Sequence, residues 1–206
     1  SQRSYSQNIN TLGQEQAITT AVPFLVISPD ARHAALGDAG VATSPDANSS
    51  YWNAGKLAFI QSKYGASASY TPWLGKIVND MSISYLTGFY KINREQAVNL
   101  ALKYFDMGEI TFTNNVAAVT GQFSPRDFSF EGTYSRMLSE NLGIGITGKY
   151  IYSNLTGTNS NVDGKPGKSV AADIGVYYTK ELKWNHASTL SLGGTITNIG
   201  AKLSYT

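Results

Sequence analysis

Two glycine-containing motifs carry residue types that bind phosphate groups in other proteins. Residues 143–148 read Gly-Ile-Gly-Ile-Thr-Gly and match the dinucleotide-binding pattern G-x-G-x-x-G. That pattern needs a strand before it and a helix after it, because the helix N-terminus meets the pyrophosphate. Here the run lies inside an alternating strand pattern, so we interpret its glycines as making room on the inner face of a sheet. Gly167-Lys168-Ser169 resembles the end of a phosphate loop, but Val162 stands where the earlier glycine is needed.

A further motif resembles the opening of a calcium-binding loop. Asn159, Asn161 and Asp163 could supply alternate oxygen ligands, and Gly164 would permit the sharp turn. The bidentate glutamate that closes such a loop should stand at position 170, where the chain has Val170. We therefore predict an exposed hairpin loop with weak or no affinity for calcium.

Histidine and cysteine chemistry is sparse in this chain. It has no Cys, which excludes disulfides, thiolate metal sites and a cysteine nucleophile. His33 and His186 lie far apart, and neither has the flanking ligand spacing of a zinc site. Asp30 and Asp38 lie near His33, so a Ser-His-Asp arrangement can be drawn, but almost any serine-rich chain permits one. We expect no catalytic residue, no metal and no cofactor, and hence a protein that is not an enzyme.

Charge and composition exclude two further classes. The formal net charge is +2 and the basic residues are scattered, which argues against nucleic-acid binding. Charged residues make up 15% of the chain, less than the roughly 25% typical of soluble domains. No stretch reaches the roughly 18 uncharged apolar residues of a membrane helix.

A two-residue alternation of apolar with small or polar side chains begins at Lys63 and continues to the end of the chain. It predicts about seven β-strands with one wet face. The alternating runs cover residues 64–71, 81–89, 98–104, 128–138, 142–152, 170–178 and 190–196.

The length and composition of these runs favour an antiparallel transmembrane β-barrel over a soluble β-sandwich, which would show the same alternation. Several runs reach about ten residues, as membrane strands do. The less apolar face is mainly Gly, Ser, Thr and Ala, which suits a crowded barrel interior. Aromatic residues collect at strand ends, as an interfacial girdle requires. They are Trp73, Phe89, Tyr90, Tyr104, Phe105, Tyr150, Tyr152, Tyr177 and Tyr178.

Residues 1–62 lack this alternation and form a separate unit. Ser-Pro-Asp-Ala occurs at residues 28–31 and again at 44–47, each time as a helix start with a hydroxyl cap, Pro at the first position and an acid just inside. We expect the first helix to stop at Gly37 and the second near Gly55, although a pair of surface turns fits the motif as well. The N-terminus has no apolar signal core, so a barrel protein would be present in its mature form, with the signal peptide removed.

The run from Asp30 to Phe59 resembles the N-terminal segment of PorV and PorQ type outer-membrane proteins, within the wider FadL-like barrels. Residues 69–74 and 101–113 continue the resemblance and are more similar to PorV than to PorQ. The family tripeptide after Trp is usually Asn-Pro-Ala, whereas this chain has Asn53-Ala54-Gly55, so the local turn is expected to differ.

The resemblance implies a fourteen-stranded barrel whose N-terminal segment folds inward as a plug. It also implies a role in the type IX secretion system of Bacteroidetes, in the cell outer membrane with its lipid and lipopolysaccharide. The implied partners are the large translocon barrel of SprA or Sov type, exported proteins that carry a C-terminal signal domain, and the sortase-like surface attachment complex. FadL-like ancestry also permits a transporter of hydrophobic small molecules.

Two questions stay open at the level of sequence. Seven strands would be half of the implied barrel, with residues 63–206 its incomplete wall. Alternatively, one strand hidden around residues 111–122 completes an eight-stranded barrel.

Plug residues are the candidates for partner contact, although they could equally hold the plug in place by capping and hydrogen bonds. These candidates are Arg32, Asp38, Asp46, Trp52 and Asn53.

Overall fold

The computed structural model describes residues 22–74, 80–114, 117–155, 166–182, 185–201 and 203. The start of the N-terminal unit and the predicted calcium loop lie outside these residues, as does the side chain of His186.

The described chain is dominated by one curled antiparallel sheet of seven strands. Their order in the sheet is β1-β2-β3-β6-β7-β8-β9, so each strand pairs with the one before it, except where the β4–β5 hairpin intervenes. The strands are β1 Tyr64–Pro72, β2 Met81–Lys91, β3 Gln96–Met107, β4 Ile110–Thr113, β5 Val119–Phe123, β6 Arg126–Met137, β7 Leu142–Asn154, β8 Gly167–Leu182 and β9 Asn185–Gly200.

The seven predicted strands are confirmed, and the prediction of a hidden eighth barrel strand is wrong. Residues 111–122 fall in β4 and β5, which pair with each other and not with the large sheet. Phe112, Thr113 and Val119 meet at a bulge in this hairpin. The long connection between β3 and β6 therefore forms a hairpin of its own.

The sheet is apolar on its exposed face and polar on its covered face, the reverse of a soluble sheet. On the outer face Leu100 is 60% exposed and Phe130 50% exposed, whereas on the inner face Lys103 is 0% and Glu131 1% exposed. Since an exposed apolar face is stable against lipid and not against water, this polarity confirms the all-β barrel class over the sandwich. The buried polar residues of the inner face are Thr87, Asn99, Lys103, Asp127, Ser129, Glu131, Thr133, Ser135, Thr147, Lys149, Ser153 and Asp173.

Several aromatics assigned to the girdle lie instead on the inner face. Phe89, Phe105 and Tyr177 are buried. Each is adjacent in sequence to a tyrosine, and neighbouring residues of a strand point to opposite faces, so only one of each pair can face outward. In β2, the apolar residues of the predicted alternation point inward, since Ile83, Tyr85 and Phe89 are buried.

Residues 22–60, which we call the inner segment, lie against the inner face of the sheet. The segment contains two 3₁₀ helices, Pro23–Val26 and Ala54–Phe59, and two short α-helices, α1 Ala31–Ala35 and α2 Ser49–Trp52. The second 3₁₀ helix contacts β6, β7 and β8, and its Leu57 and Ala58 are fully buried. Among the described residues, no helix is long and apolar enough to cross a membrane.

The helix starts use different caps from those expected. Asp30, and not Ser28, is the N-cap of α1, and its carboxylate accepts from the N–H of His33. Helix α1 ends where predicted, with Gly37 at φ +71° directly after the C-cap. Asn48 is the N-cap of α2, and that helix ends at Trp52 and not near Gly55.

The inner segment approaches the sheet most closely at glycines of β7 and β8. A Cβ on Gly145 would lie 2.5 Å from the carbonyl oxygen of Ala54, whereas Gly148 of the same strand has open space around that position. A Cβ on Gly55 would lie 2.9 Å from the carbonyl oxygen of Gly143. The prediction that glycines in residues 143–148 make room on the inner face is therefore correct for Gly143 and Gly145, while Gly148 points outward.

We expect Gly145→Ala to loosen the docked inner segment by about 1–3 kcal/mol, because the added methyl group meets backbone atoms that cannot rotate away. Hydrogen exchange of the amides of residues 53–58, in the intact protein in detergent, measures this change. The matched control is Gly148→Ala, on the same strand and facing open space, which should leave exchange unchanged. Equal exchange in the two variants would contradict the packing described here.

Candidate functional site

A buried polar network joins residues 30–56 of the inner segment. Its centre is Asp30, at the start of α1, whose carboxylate oxygens lie 2.8 and 2.9 Å from His33 Nδ1. The indole of Trp52, at the end of α2, donates to the same carboxylate over 3.0 Å. Because both donors converge on Asp30, the two helices are tied together by one side chain.

The network continues from the other side of the imidazole. His33 Nε2 lies 2.9 Å from Thr43 Oγ1, and Lys56 Nζ donates to that same hydroxyl over 2.8 Å. Lys56 also donates to the carbonyl of Gly40 over 2.8 Å. The side chains of His33 and Lys56 are fully buried, so the network is shielded from water.

Asp30, His33 and Thr43 follow the carboxylate–imidazole–hydroxyl order of a hydrolase triad. The structure thus pairs the His33 imidazole with the Asp30 carboxylate and not with that of Asp38. Asp38 contacts His33 only through its backbone N–H, which donates to the His33 carbonyl. Two features oppose catalysis: the imidazole is buried, and the Lys56 ammonium donates into the hydroxyl oxygen that would have to attack. The arrangement stabilises the segment by joining α1, Thr43 and the second 3₁₀ helix.

The network shifts the acid–base behaviour of its members. Burial alone would raise the pKa of Asp30, but hydrogen bonds from Trp52 and His33 and the attraction of the imidazole outweigh it and hold that pKa below its usual value. Burial lowers the pKa of Lys56 to about 8, although the carboxylates of Asp46 and Asp30 act in the opposite direction.

A second polar cluster joins the inner segment to the sheet. The Tyr51 hydroxyl lies 3.0 Å from the carbonyl oxygen of Leu25 and 2.9 Å from that of Ile27. Lys103 Nζ, from β3, donates to the same two carbonyls and lies 4.6 Å from the centre of the Tyr51 ring. Burial, followed by repulsion from the Glu131 carboxylate, raises the pKa of Tyr51, so its phenol remains a donor.

Buried charges alternate in sign on four successive strands of the sheet. Lys103 lies on β3, Glu131 on β6, Lys149 on β7 and Asp173 on β8. Lys149 Nζ is 2.6 Å from an Asp173 carboxylate oxygen, and Glu131 accepts a hydrogen bond from Ser129 over 2.9 Å. The four formal charges sum to zero, which limits the cost of burying them.

The candidate residues divide into an exposed group and a buried group. Arg32 donates to Asp46 over 2.7 Å and to Ser44 over 2.9 Å, and the Arg32 side chain is half-exposed. Asp38 is exposed and adopts φ +61° in the turn after α1. These residues lie on the side of the segment that is open to solvent.

Trp52, which is partly buried, and Asn53, which is fully buried, form the other group. Asn53 is 1% exposed, and its amide donates to the carbonyls of Val41 and of Val176 on β8, over 3.0 and 2.8 Å. Its side-chain oxygen accepts from the N–H of Gly55 and so closes the turn at Asn53-Ala54-Gly55. Sequence reasoning did not find Thr43, Tyr51, Lys56 or Lys103, whose partners are distant in sequence.

No group of three His, Cys, Asp or Glu residues suited to holding a metal ion occurs in the described part of the chain.

An antiparallel sheet that is apolar outside and polar inside, with its inner face covered by its own N-terminal segment, defines a membrane β-barrel protein. Comparison with protein-family models matches residues 10–206 to the family described as "Type IX secretion system protein PorV". The chain therefore belongs to the PorV family and is an outer-membrane component of the type IX secretion system. A search of curated proteins gave no match.

We expect Asp30→Asn to destabilise the inner segment by about 1–3 kcal/mol, because the amide turns an N–H donor toward the Trp52 and His33 donors. Limited proteolysis of the intact protein measures the change as faster cleavage between residues 22 and 60. Asp38→Asn is the matched control, because Asp38 is exposed and asparagine tolerates its positive φ. If both variants are cleaved at the wild-type rate, the network does not hold the segment.

The stabilisation that Asp30 gives to the inner segment should decrease at acid pH. Because its folded pKa lies below the usual 3.8, its stabilisation is complete above about pH 4 and is lost as the pH falls through the folded value. The difference in segment stability between wild type and Asp30→Asn should therefore shrink as the pH falls below about pH 4. Amide exchange on a pH series measures it, and a difference that persists undiminished at pH 2 would contradict this assignment.

Proposed function

We propose that this protein binds the large translocon barrel and accepts exported proteins through their C-terminal signal domain, delivering them to the surface attachment complex. The observation that carries the proposal is the PorV family match across residues 10–206. The outer face of the sheet supports it, because its apolar side chains can contact both lipid and a neighbouring membrane barrel.

We further propose that residues 1–62 form the plug and residues 63–206 the barrel strands. Support comes from the position of the inner segment, whose second 3₁₀ helix packs on β6, β7 and β8. The change to two-residue alternation at Lys63 marks the same boundary.

A protein partner suits the exposed polar surface better than a small apolar ligand does. At the end of the sheet with the short turns, a cleft of about 1050 Å³ is lined by charged side chains, among them Lys91, Arg94, Glu95 and Glu140, together with the apolar Phe59, Met137 and Leu138. The described inner face is also polar and carries buried charges. Transport of hydrophobic small molecules would need an apolar route, so the polar inner face favours secretion over the FadL-like alternative.

Within the plug, we assign partner contact to the ion pair of half-exposed Arg32 and partly exposed Asp46, and a structural role to Trp52 and Asn53. The division rests on exposure: the first pair lies on the open side of the segment, and Asn53 is buried against β8. Asp38, also exposed, belongs with the contact group.

Affinity purification of the tagged intact protein from native outer membranes tests the proposal. We expect recovery of a much larger barrel protein together with exported proteins that carry the C-terminal signal domain. Recovery of the protein alone would reject the proposed function, and loss of small-molecule uptake without loss of secretion in a deletion strain would favour the transporter.

The double variant R32E/D46R tests the contact residues within the same experiment. It keeps an ion pair inside the segment but reverses both charges presented to a partner, so we expect a roughly tenfold lower recovery of partners. Because the Asp46 carboxylate also accepts from the Asn48 N–H and the Ser49 hydroxyl, limited proteolysis must first show that the variant is cleaved at the wild-type rate. The control is Arg32→Lys, which keeps the sign of the charge. Full recovery with R32E/D46R would show that the pair is structural only.

A further inference from the structure

On strands β6 and β8, basic residues lie at both ends of the row of apolar side chains that face outward. Arg126 and Arg136 lie at the two ends of β6, and Lys168 and Lys180 lie near the two ends of β8. All four are exposed and share the outer face by strand alternation. Between them the outward side chains are almost entirely apolar or aromatic; they are Phe128, Phe130 and Tyr134 on β6 and Val170, Ala172, Ile174, Val176 and Tyr178 on β8.

The spacing of these residues matches the height of a bilayer core. Ten residues of strand separate Arg126 from Arg136, which is about 33 Å along the strand at about 3.3 Å per residue. A barrel strand tilted by about 40° spans about 25 Å of height over that length, the height of the apolar band of outer-membrane barrels. The basic side chains therefore lie at the level of the lipid headgroups on either side.

The connections between strands show which end is which. At the end that holds Arg136 and Lys180, the connections β2–β3, β6–β7 and β8–β9 have four, four and two residues. At the end that holds Arg126 and Lys168, the connections β1–β2, β3–β6 and β7–β8 have eight, eighteen and twelve residues. Short turns are periplasmic and long loops extracellular in outer-membrane barrels, so Arg126 and Lys168 face the outer leaflet.

The surroundings of this outer pair suit a phosphorylated lipid. Arg126 lies opposite Asn154 of β7, and Lys168 lies opposite Tyr152 of the same strand, which places their backbones about 12 Å apart. Between and below them the rings of Phe128 and Tyr152 stack at 4.9 Å. Neither cationic group forms a hydrogen bond or ion pair with a described residue, so both remain available for an anion.

We propose that Arg126 and Lys168 bind the phosphate groups of lipopolysaccharide, with the Phe128–Tyr152 ring pair contacting its acyl chains. Guanidinium and ammonium groups bind phosphate through charge-assisted hydrogen bonds, and the aromatic pair faces the hydrocarbon directly below. Because both cations point sideways from the barrel wall, the site faces membrane lipid and not free phosphate in water. The inference needs the membrane-spanning arrangement but no particular secretion partner.

Retention of lipid A by the intact protein, reconstituted in nanodiscs and analysed by native mass spectrometry, tests this site. We expect wild type to retain diphosphorylated lipid A on the order of tenfold better than dephosphorylated lipid A, and the double variant R126Q/K168Q to lose that preference. The conservative variant R126K/K168R should keep it.

The matched control is R136Q/K180Q, which removes the same two charges at the periplasmic end and should keep the wild-type preference. Each single variant, R126Q or K168Q, should lose roughly half of the effect on a logarithmic scale, so the test survives if the double variant fails to fold. Equal retention of the two lipids by wild type would overturn the proposal. Full preference in R126Q/K168Q, or equal loss in the periplasmic control, would overturn it as well.

Discussion

Burial of polar and charged groups on the inner face of the sheet is the constraint on which the rest of this structure depends. A barrel wall that is apolar outside leaves its polar residues inside, where each must find a hydrogen bond or an opposite charge. Lys103 meets this need with carbonyls of Leu25 and Ile27, and Lys149 meets it with Asp173. The inner segment is therefore part of the solution, because its backbone supplies acceptors that the sheet lacks.

The same constraint explains why the inner segment has a polar network of its own. A chain of 3₁₀ turns and very short helices has few internal hydrogen bonds, so side chains must replace them. Asp30 and His33 of α1, Thr43, and Lys56 of the second 3₁₀ helix connect three parts of the segment that are not neighbours in sequence. The resulting unit covers part of the inner face of the sheet, while the Arg32–Asp46 ion pair stays on its open side.

Sequence reasoning found the strands because lipid outside and polar groups inside impose a strict two-residue alternation. It could not decide which side chains of β2 face inward, because aromatic and aliphatic residues are compatible with both faces of the wall. In the structure Ile83 and Tyr85 point inward. The pairing of Asp30 with His33 has a local signal, three residues apart at a helix start, although the sequence suggested Ser28 as the cap. Lys56 with Thr43, and Lys103 with the carbonyl of Ile27, have no such signal, because tertiary packing alone brings them together.

The glycines beneath the second 3₁₀ helix couple strand register to the docking of the inner segment. Where Gly55 meets Gly143 and Gly175, and where Ala54 meets Gly145, main chain lies directly on main chain. A shift of one residue in β7 would place Ile144 or Ile146 where a glycine is required. The inner segment therefore fits against only one register of the wall, and a strand paired out of register would leave it without a place to dock.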